Sequence, residues 1–330
     1  MFPRRGLASL ASLVTLGALG ASAPALAGEN DLVMTRLGRI VESGGTPVDV
    51  VGGNLEFRSL VSELGVVLAP RLLSPSDTIG YGGFQFSADV GWTSISSDAD
   101  YWRVRHGSDV MDGAAAPGLL QTVGLFARKG MWFPVPSVEV GVGATHLMSS
   151  RMWTGQAYAK LGIHEGYHDL PIPSLAVRGA AARLMGNRDL DLTVASVDVS
   201  ISKHVGVGGT WSLDPYGGWN VLVIIPRSEV IDATPNIDSL APGNNRDRSL
   251  NFVFKDQDDI LRHRFFVGAK LDYYVFALIA EADFALAGRS VDDRPATDDD
   301  CTVDAATDRC DSTDQSGAQQ TYTVSLAFDF

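Results

Sequence analysis

Gln320-Thr-Tyr-Thr-Val-Ser-Leu-Ala-Phe-Asp-Phe330 is the stretch whose pattern decides the fold. Tyr322, Val324, Leu326, Phe328 and Phe330 fall on one side; Thr321, Thr323, Ser325, Ala327 and Asp329 fall on the other. This is the period of two expected of a β-strand, whose successive side chains point to opposite faces. The length also suits a tilted strand crossing a hydrocarbon layer, which needs about 9–11 residues.

The pattern recurs upstream. Gly82, Phe84, Phe86, Ala88, Val90 and Trp92 alternate with Gln85, Ser87, Asp89, Gly91 and Thr93. Val138, Val140, Val142 and Ala144 oppose Glu139, Gly141, Gly143 and Thr145, and Val197, Val199 and Ile201 oppose Asp198 and Ser200. Phe265, Val267, Ala269 and Leu271 oppose Arg264 and Lys270; Phe276, Leu278, Ala280 and Phe284 oppose Glu281 and Asp283. A soluble sandwich would turn the apolar rows inward. A membrane barrel turns them outward to lipid. Alternation alone leaves both open.

Turn signals divide the chain into about ten strands, near 80–95, 118–131, 138–148, 153–165, 174–186, 190–203, 211–227, 261–271, 274–288 and 319–330, with 8 or 12 as alternatives. Connections 96–117, 149–152, 187–189, 228–260 and 289–318 fall at one end, and three of them are long. Those at the other end, 132–137, 166–173, 204–210 and 272–273, are short. Long outer loops and short periplasmic turns are the asymmetry of bacterial membrane barrels, and an even count starting from a periplasmic N-terminus returns the C-terminus there. Trp92, Tyr101, Trp102, Trp132, Phe133, Trp153, Tyr216, Trp219, Tyr273 and Tyr274 lie near strand ends, where aromatic rings favour the headgroup zones.

At the front, Arg4 and Arg5 precede an uncharged run from Leu7 to Leu19, followed by Ala25-Leu26-Ala27. This reads as a signal peptide over 1–27, with the mature chain starting near Gly28. No later segment has the run of about 18 apolar residues that a spanning helix requires. The net charge of −13, more negative once Arg4 and Arg5 are removed, excludes nucleic-acid binding, which needs a basic face. Cys301 and Cys310, the two cysteines of an exported chain, are expected to form one disulfide closing a small loop.

Between leader and strands, residues 28–79 form a periplasmic or plug segment. Phe57, Leu60, Val61, Leu64, Val67 and Leu68 recur at helical spacing until Pro70. This predicts an amphipathic helix over about 55–69, either plugging the lumen or lying under it. Two further strands are the alternative.

The terminal strand ending in an aromatic residue, the leader and the repeated hairpins resemble Gram-negative bacterial outer-membrane β-barrel proteins over about residues 80–330. The resemblance is to the class and to no single member. It implies an all-β, transmembrane, antiparallel up-and-down barrel in the bacterial outer membrane. It also implies contact with membrane lipid and lipopolysaccharide, and a terminal Phe330 read by the barrel-assembly machinery. The class includes passive pores, adhesins, envelope-stabilising proteins and a few lipases or proteases, and no catalytic set of those enzymes matches here.

Three motifs compete with blander readings. His164-Glu-Gly-Tyr-His168 matches a zinc-protease spacing, but that chemistry needs a helix, whereas Gly166, Pro171 and Pro173 mark a turn. The carboxylates of residues 298–314 read as a solvated acidic loop, with Ca²⁺ the alternative. His146 near Ser149 and Ser150 has no spacing specific to a hydrolase. The expected lumen residues carry both signs: Asp89, Glu139, Asp198, Glu281 and Asp283 against Lys160, Arg178, Arg264 and Lys270. They either line a narrow polar pore or pair and fill it. The functional expectation is therefore a non-enzymatic barrel without cofactor, passing small polar solutes or ions. The alternatives are a closed structural or adhesive barrel whose outer loops bind a surface partner, and an embedded hydrolase.

Overall fold

The computed structural model describes residues 27–108, 117–131, 137–166, 172–207, 209–234, 250–291, 302–304, 309–311 and 313–330. Residues 1–26 of the expected signal peptide, Trp132, Phe133, His168, Cys301 and hence the expected disulfide lie outside the described residues.

The chain opens with a hairpin, β1 (Gly38–Ser43) and β2 (Thr46–Gly52), followed by helix α1 (Asn54–Val67). Strands β3 (Phe84–Ser94), β4 (Leu119–Met131), β5 (Val138–Leu147), β6 (Trp153–His164), β7 (Ser174–Met185) and β8 (Leu190–Ser202) form the first part of the wall. A short β9 (Val205–Val207) precedes β10 (Trp211–Ser228), and β11 (Ile231–Asp232) pairs with β12 (Asn251–Phe252) beyond it. Next come β13 (Ile260–Tyr273) and β14 (Phe276–Ala285), the small hairpin of β15 (Thr302–Asp304) and β16 (Arg309–Asp311), and finally β17 (Gln319–Asp329).

Ten of these strands close a barrel. Each of β3 to β8 pairs antiparallel with the next, β8 passes to β10, and β10 to β13, β14 and β17. Strand β17 then returns to β3, with Ser325 opposite Asp89. Phe84 and Phe330 exchange backbone bonds of 2.9 and 2.8 Å at the seam. Every expected wall strand meets an observed one to within four residues at either end; β9 is an addition that lengthens the edge beside β10.

The wall has an apolar outside. Phe86 is 52% and Leu125 66% exposed, while Val142, Val267 and Leu326 share that outer surface. The alternating partners Gln85, Ser87, Asp89, Thr323 and Ser325 are buried inside. No described helix is long and apolar enough to cross a membrane; the strands do so instead. The long connections gather at one end of the barrel, which is therefore the outer one.

The interior has two storeys. At the outer end the wall is apolar on its inner face as well, through Leu120, Leu184, Leu192, Val194, Leu222 and Ile224. This storey takes α1, burying Phe57, Leu60, Val61 and Leu64 completely. Phe57 stacks on Phe254 of the β12–β13 connection at 4.4 Å. The helix ends at Val67 because Pro70, three residues on, disfavours helical backbone at Ala69. Below it the wall turns polar, and residues 68–79 descend through the lumen as irregular chain.

Several expectations need correction. The segment before β3 does not begin on the periplasmic side: Asn30 bonds to Ser149 and Met148 on the outer β5–β6 turn, at 2.9 and 2.7 Å. Helix α1 is not amphipathic in the sense of one wet face. Its polar residues Arg58, Ser59, Ser62 and Glu63 are as buried as its apolar ones, because the outer loops close over them. Tyr101 and Trp102 are core residues of a 3-10 turn instead of interface rings, since each donates to Glu63. Tyr216 points into the lumen, where its hydroxyl donates to Glu281 at 2.7 Å.

Candidate functional site: a filled lumen

In a passive pore the functional surface is the lining of the lumen. Here that lining faces a second chain segment along its polar storey. Residues 68–79 have no strand ladder, so their backbone groups need other partners, and wall side chains supply them. Arg264 donates to the Pro70 carbonyl at 3.1 Å, Arg178 to that of Leu72, and Arg128 to that of Leu73 at 3.0 Å. Lys160 donates to the carbonyls of Pro75 and Asp77 at 3.1 and 2.9 Å. Wall acceptors take the N–H groups: Gln156 that of Arg71 (3.0 Å), Glu281 that of Leu73 (2.9 Å), Ser202 that of Ser76 (3.0 Å) and Glu139 that of Ile79 (3.1 Å).

The charged groups pair at the same levels. Lys160 lies 3.1 Å from Glu139, Arg178 2.8 Å from Asp198, and Arg264 3.7 Å from Asp283. Asp89 faces the plug's own Arg71 at 3.6 Å, and Arg71 also reaches Thr122. Lys270, nearest the periplasm, is shared between Asp272 (2.8 Å) and Asp329 (2.7 Å). A buried charge is tolerable only when paired and hydrogen-bonded, so this network is the condition for packing the polar storey at all. Along the seam the hydroxyls of Ser87, Thr323 and Ser325 and both Asp89 oxygens are buried without a hydrogen-bond partner.

At the outer storey Glu63 is the anchor. Its completely buried carboxylate accepts from Ser96 N (3.0 Å), Ser96 Oγ (2.7 Å), Tyr101 OH (2.7 Å), Trp102 Nε1 (2.7 Å) and Gly317 N (2.9 Å). Burial, and then the adjoining Glu63 carboxylate, push the Tyr101 phenol far above its ordinary range, so it remains a donor. A second latch joins Ser62, Asp314, Ser316 and Arg262: Ser62 Oγ donates to Asp314 at 2.5 Å and accepts from Arg262 at 2.8 Å. At the periplasmic end a cavity of about 340 Å³, bordered by Asp77, Gln85, His204, Asp214 and Lys270, runs up to the plug.

All nine charged residues expected in the lumen thus face inward, and eight are fully buried, with Lys270 partly so. Among the participants that escaped sequence reading are Glu63, Arg71, Arg128 and Arg262. Arg128 and Arg262 sit in alternating strands and were accessible to the same logic, whereas Glu63 and Arg71 depend on where the plug runs. Among the described residues the enzyme-like motifs do not assemble. His164 ends β6, and Glu165 accepts from Thr78 of the plug at 2.5 Å. His146 stacks on Trp153 and contacts the Met152 carbonyl, while Ser150 Oγ donates to the Leu147 carbonyl at 2.7 Å. Among the described residues no group of His, Cys, Asp and Glu could hold a metal ion.

No protein-family model matches the sequence, and no curated protein does. Similar solved structures include Neisserial surface protein A, with 9% identity, 76% of this chain and 99% of that one covered, and a TM-score of 0.29. Outer membrane protein OprG from Pseudomonas aeruginosa has 10% identity, 78% and 99% coverage and a TM-score of 0.28. For Ail, the attachment invasion locus protein of Yersinia pestis, the values are 9%, 76%, 99% and 0.27. Such values transfer no activity. The closed wall with an apolar exterior and a polar lower lumen is itself the architecture of a bacterial outer-membrane β-barrel, and that membrane is where it resides.

Proposed function

We propose that this protein is a closed, non-enzymatic outer-membrane barrel whose task is carried by its outer face. In this reading it is a structural or adhesive element in place of a passive pore. One observation carries the reading: residues 68–79 occupy the polar lumen, and wall Arg and Lys side chains donate to the plug's own carbonyls. A conducting lining would keep those donors hydrated. The apolar band contacts membrane lipid, its outer rim contacts lipopolysaccharide, and Phe330 is offered to the assembly machinery. The partner of the outer face is another surface molecule, met by the loops and the β1–β2 hairpin, where Ile40 and Val48 stand exposed.

Planar-bilayer recording of the purified protein is the test. The full mature chain is expected to be silent, and a variant lacking residues 28–79 to conduct. Steady unitary currents from the intact chain would remove the closed-barrel reading and restore the pore.

A further inference from the structure

We propose that cleavage after Ala27 creates a docking group: the freed α-ammonium of Gly28 pairs with Asp31, which is held by Arg151 of the β5–β6 turn, and so fixes the start of the plug at the outer mouth. Three observations meet there. Gly28 N already lies 2.9 Å from Asp31 Oδ2. The Asp31 side chain is only 7% exposed and also accepts from Arg151 N (2.7 Å) and Arg151 Nε (3.2 Å). Finally, a Cβ on residue 28 would stand 2.1 Å from the Ser149 carbonyl oxygen, so glycine alone permits this approach.

Topology makes cleavage a precondition. Residue 28 sits at the long-loop end, held by Asn30 against Ser149 and by His106 N against the Asp31 carbonyl at 2.8 Å. An apolar leader still inserted in the inner membrane would hold this segment on the far side of the envelope. Hydrolysis by the export peptidase adds one water across the Ala27–Gly28 amide. The C–N bond breaks, the water oxygen stays on the Ala27 carboxylate, and the Gly28 nitrogen leaves as an amine that takes up a proton. The product cation stands three residues from Asp31 in the chain, and the two are buried as a pair once the segment folds against the outer turn. An amide N–H at this place is a neutral donor, whereas an ammonium makes the stronger charge-assisted bond.

The charged groups facing the site are Asp31 and the neighbouring Glu29 on the segment itself, Arg151 on the β5–β6 turn, Arg105 and His106 on the loop after β3, and Arg188 and Asp189 on the β7–β8 turn. A polar cavity of about 330 Å³ beside Asp31, bordered by Arg151, Asn187 and Arg188, admits a small reagent.

The experiment uses mature protein isolated from outer membranes, with native folding confirmed by heat-modifiable gel migration. N-terminal sequencing is expected to begin at Gly28. Labelling of the α-amino group near pH 7 with an amine reagent is then compared between wild type, Asp31→Asn and Gly28→Ala. Losing the pairing is expected to speed labelling about tenfold, the effect of one pKa unit. Gly28→Ala keeps the carboxylate but cannot seat the nitrogen, so it labels fast too, and it carries the test should Asp31→Asn not fold. A mature chain starting elsewhere, or equal labelling of wild type and a folded variant, overturns the proposal.

Discussion

Replacing Glu63 by Ala is the sharpest probe of the plug. The substitution removes the acceptor for five donors on three segments. The hydroxyls of Ser96 and Tyr101 can turn to new partners, but Ser96 N, Trp102 Nε1 and Gly317 N are fixed. Each unsatisfied buried donor costs about 1–3 kcal/mol, and water entering the vacated space recovers part of that. A net loss of about 3–5 kcal/mol follows. Against it stands the apolar burial of α1, where Phe57, Leu60, Val61, Leu64 and Val67 contribute on the order of 10 kcal/mol gross. Backbone ordering of the fourteen helical residues opposes a gain of that size, so the helix depends on polar anchors such as Glu63, while the wall ladders are untouched. Trypsin added from outside is expected to cut Glu63→Ala protein at Arg58 within the time that wild type stays intact, with the barrel still heat-modifiable on gels. Glu63→Gln, which keeps one acceptor oxygen, is expected to fall between them. Wild-type resistance in Glu63→Ala protein would refute the view that this carboxylate holds the plug.

Further outcomes follow from the same contacts. Arg71→Met leaves Asp89 buried without its cation and is expected to cost about 3–5 kcal/mol, a drop of ~10 °C in the gel-monitored unfolding midpoint; Arg71→Met with Asp89→Leu recovers most of it. Gly65→Leu places its Cβ 2.6 Å from Ile224 Cδ1, so α1 is expected to lose about 1–3 kcal/mol of docking stability, read as faster trypsin cutting, and Ile224→Ala to restore it. Phe330→Ser is expected to lower the amount of protein fractionating with outer membranes several-fold, while the refolded barrel keeps wild-type heat stability.

The wall was legible because lipid and lumen impose opposite demands on consecutive residues. Val324 and Leu326 against Thr323 and Ser325 can be read without knowing any partner. The inner apolar storey was present but ambiguous: Val221, Leu222, Val223, Ile224 and Ile225 form a run with no alternation, since one side meets lipid and the other meets α1. A continuous apolar run in a chain that otherwise alternates marks a wall with something greasy inside it. The polar plug leaves no such mark. Leu68 to Ile79 carries two prolines and no period, because its backbone is satisfied by side chains of strands far away in sequence. Charge supplies the missing signal only after the fact. The expected lumen residues hold five acids and four bases, which nearly balance on paper. In the structure their pairing leaves Arg and Lys N–H groups over, together with Arg71 and Arg128. An open lumen would give those donors to water; here they point at the carbonyls of Pro70, Leu72, Leu73, Pro75 and Asp77. Wall and plug thus complete one another's hydrogen bonding, and a wall without its plug would have to give those donors to water instead.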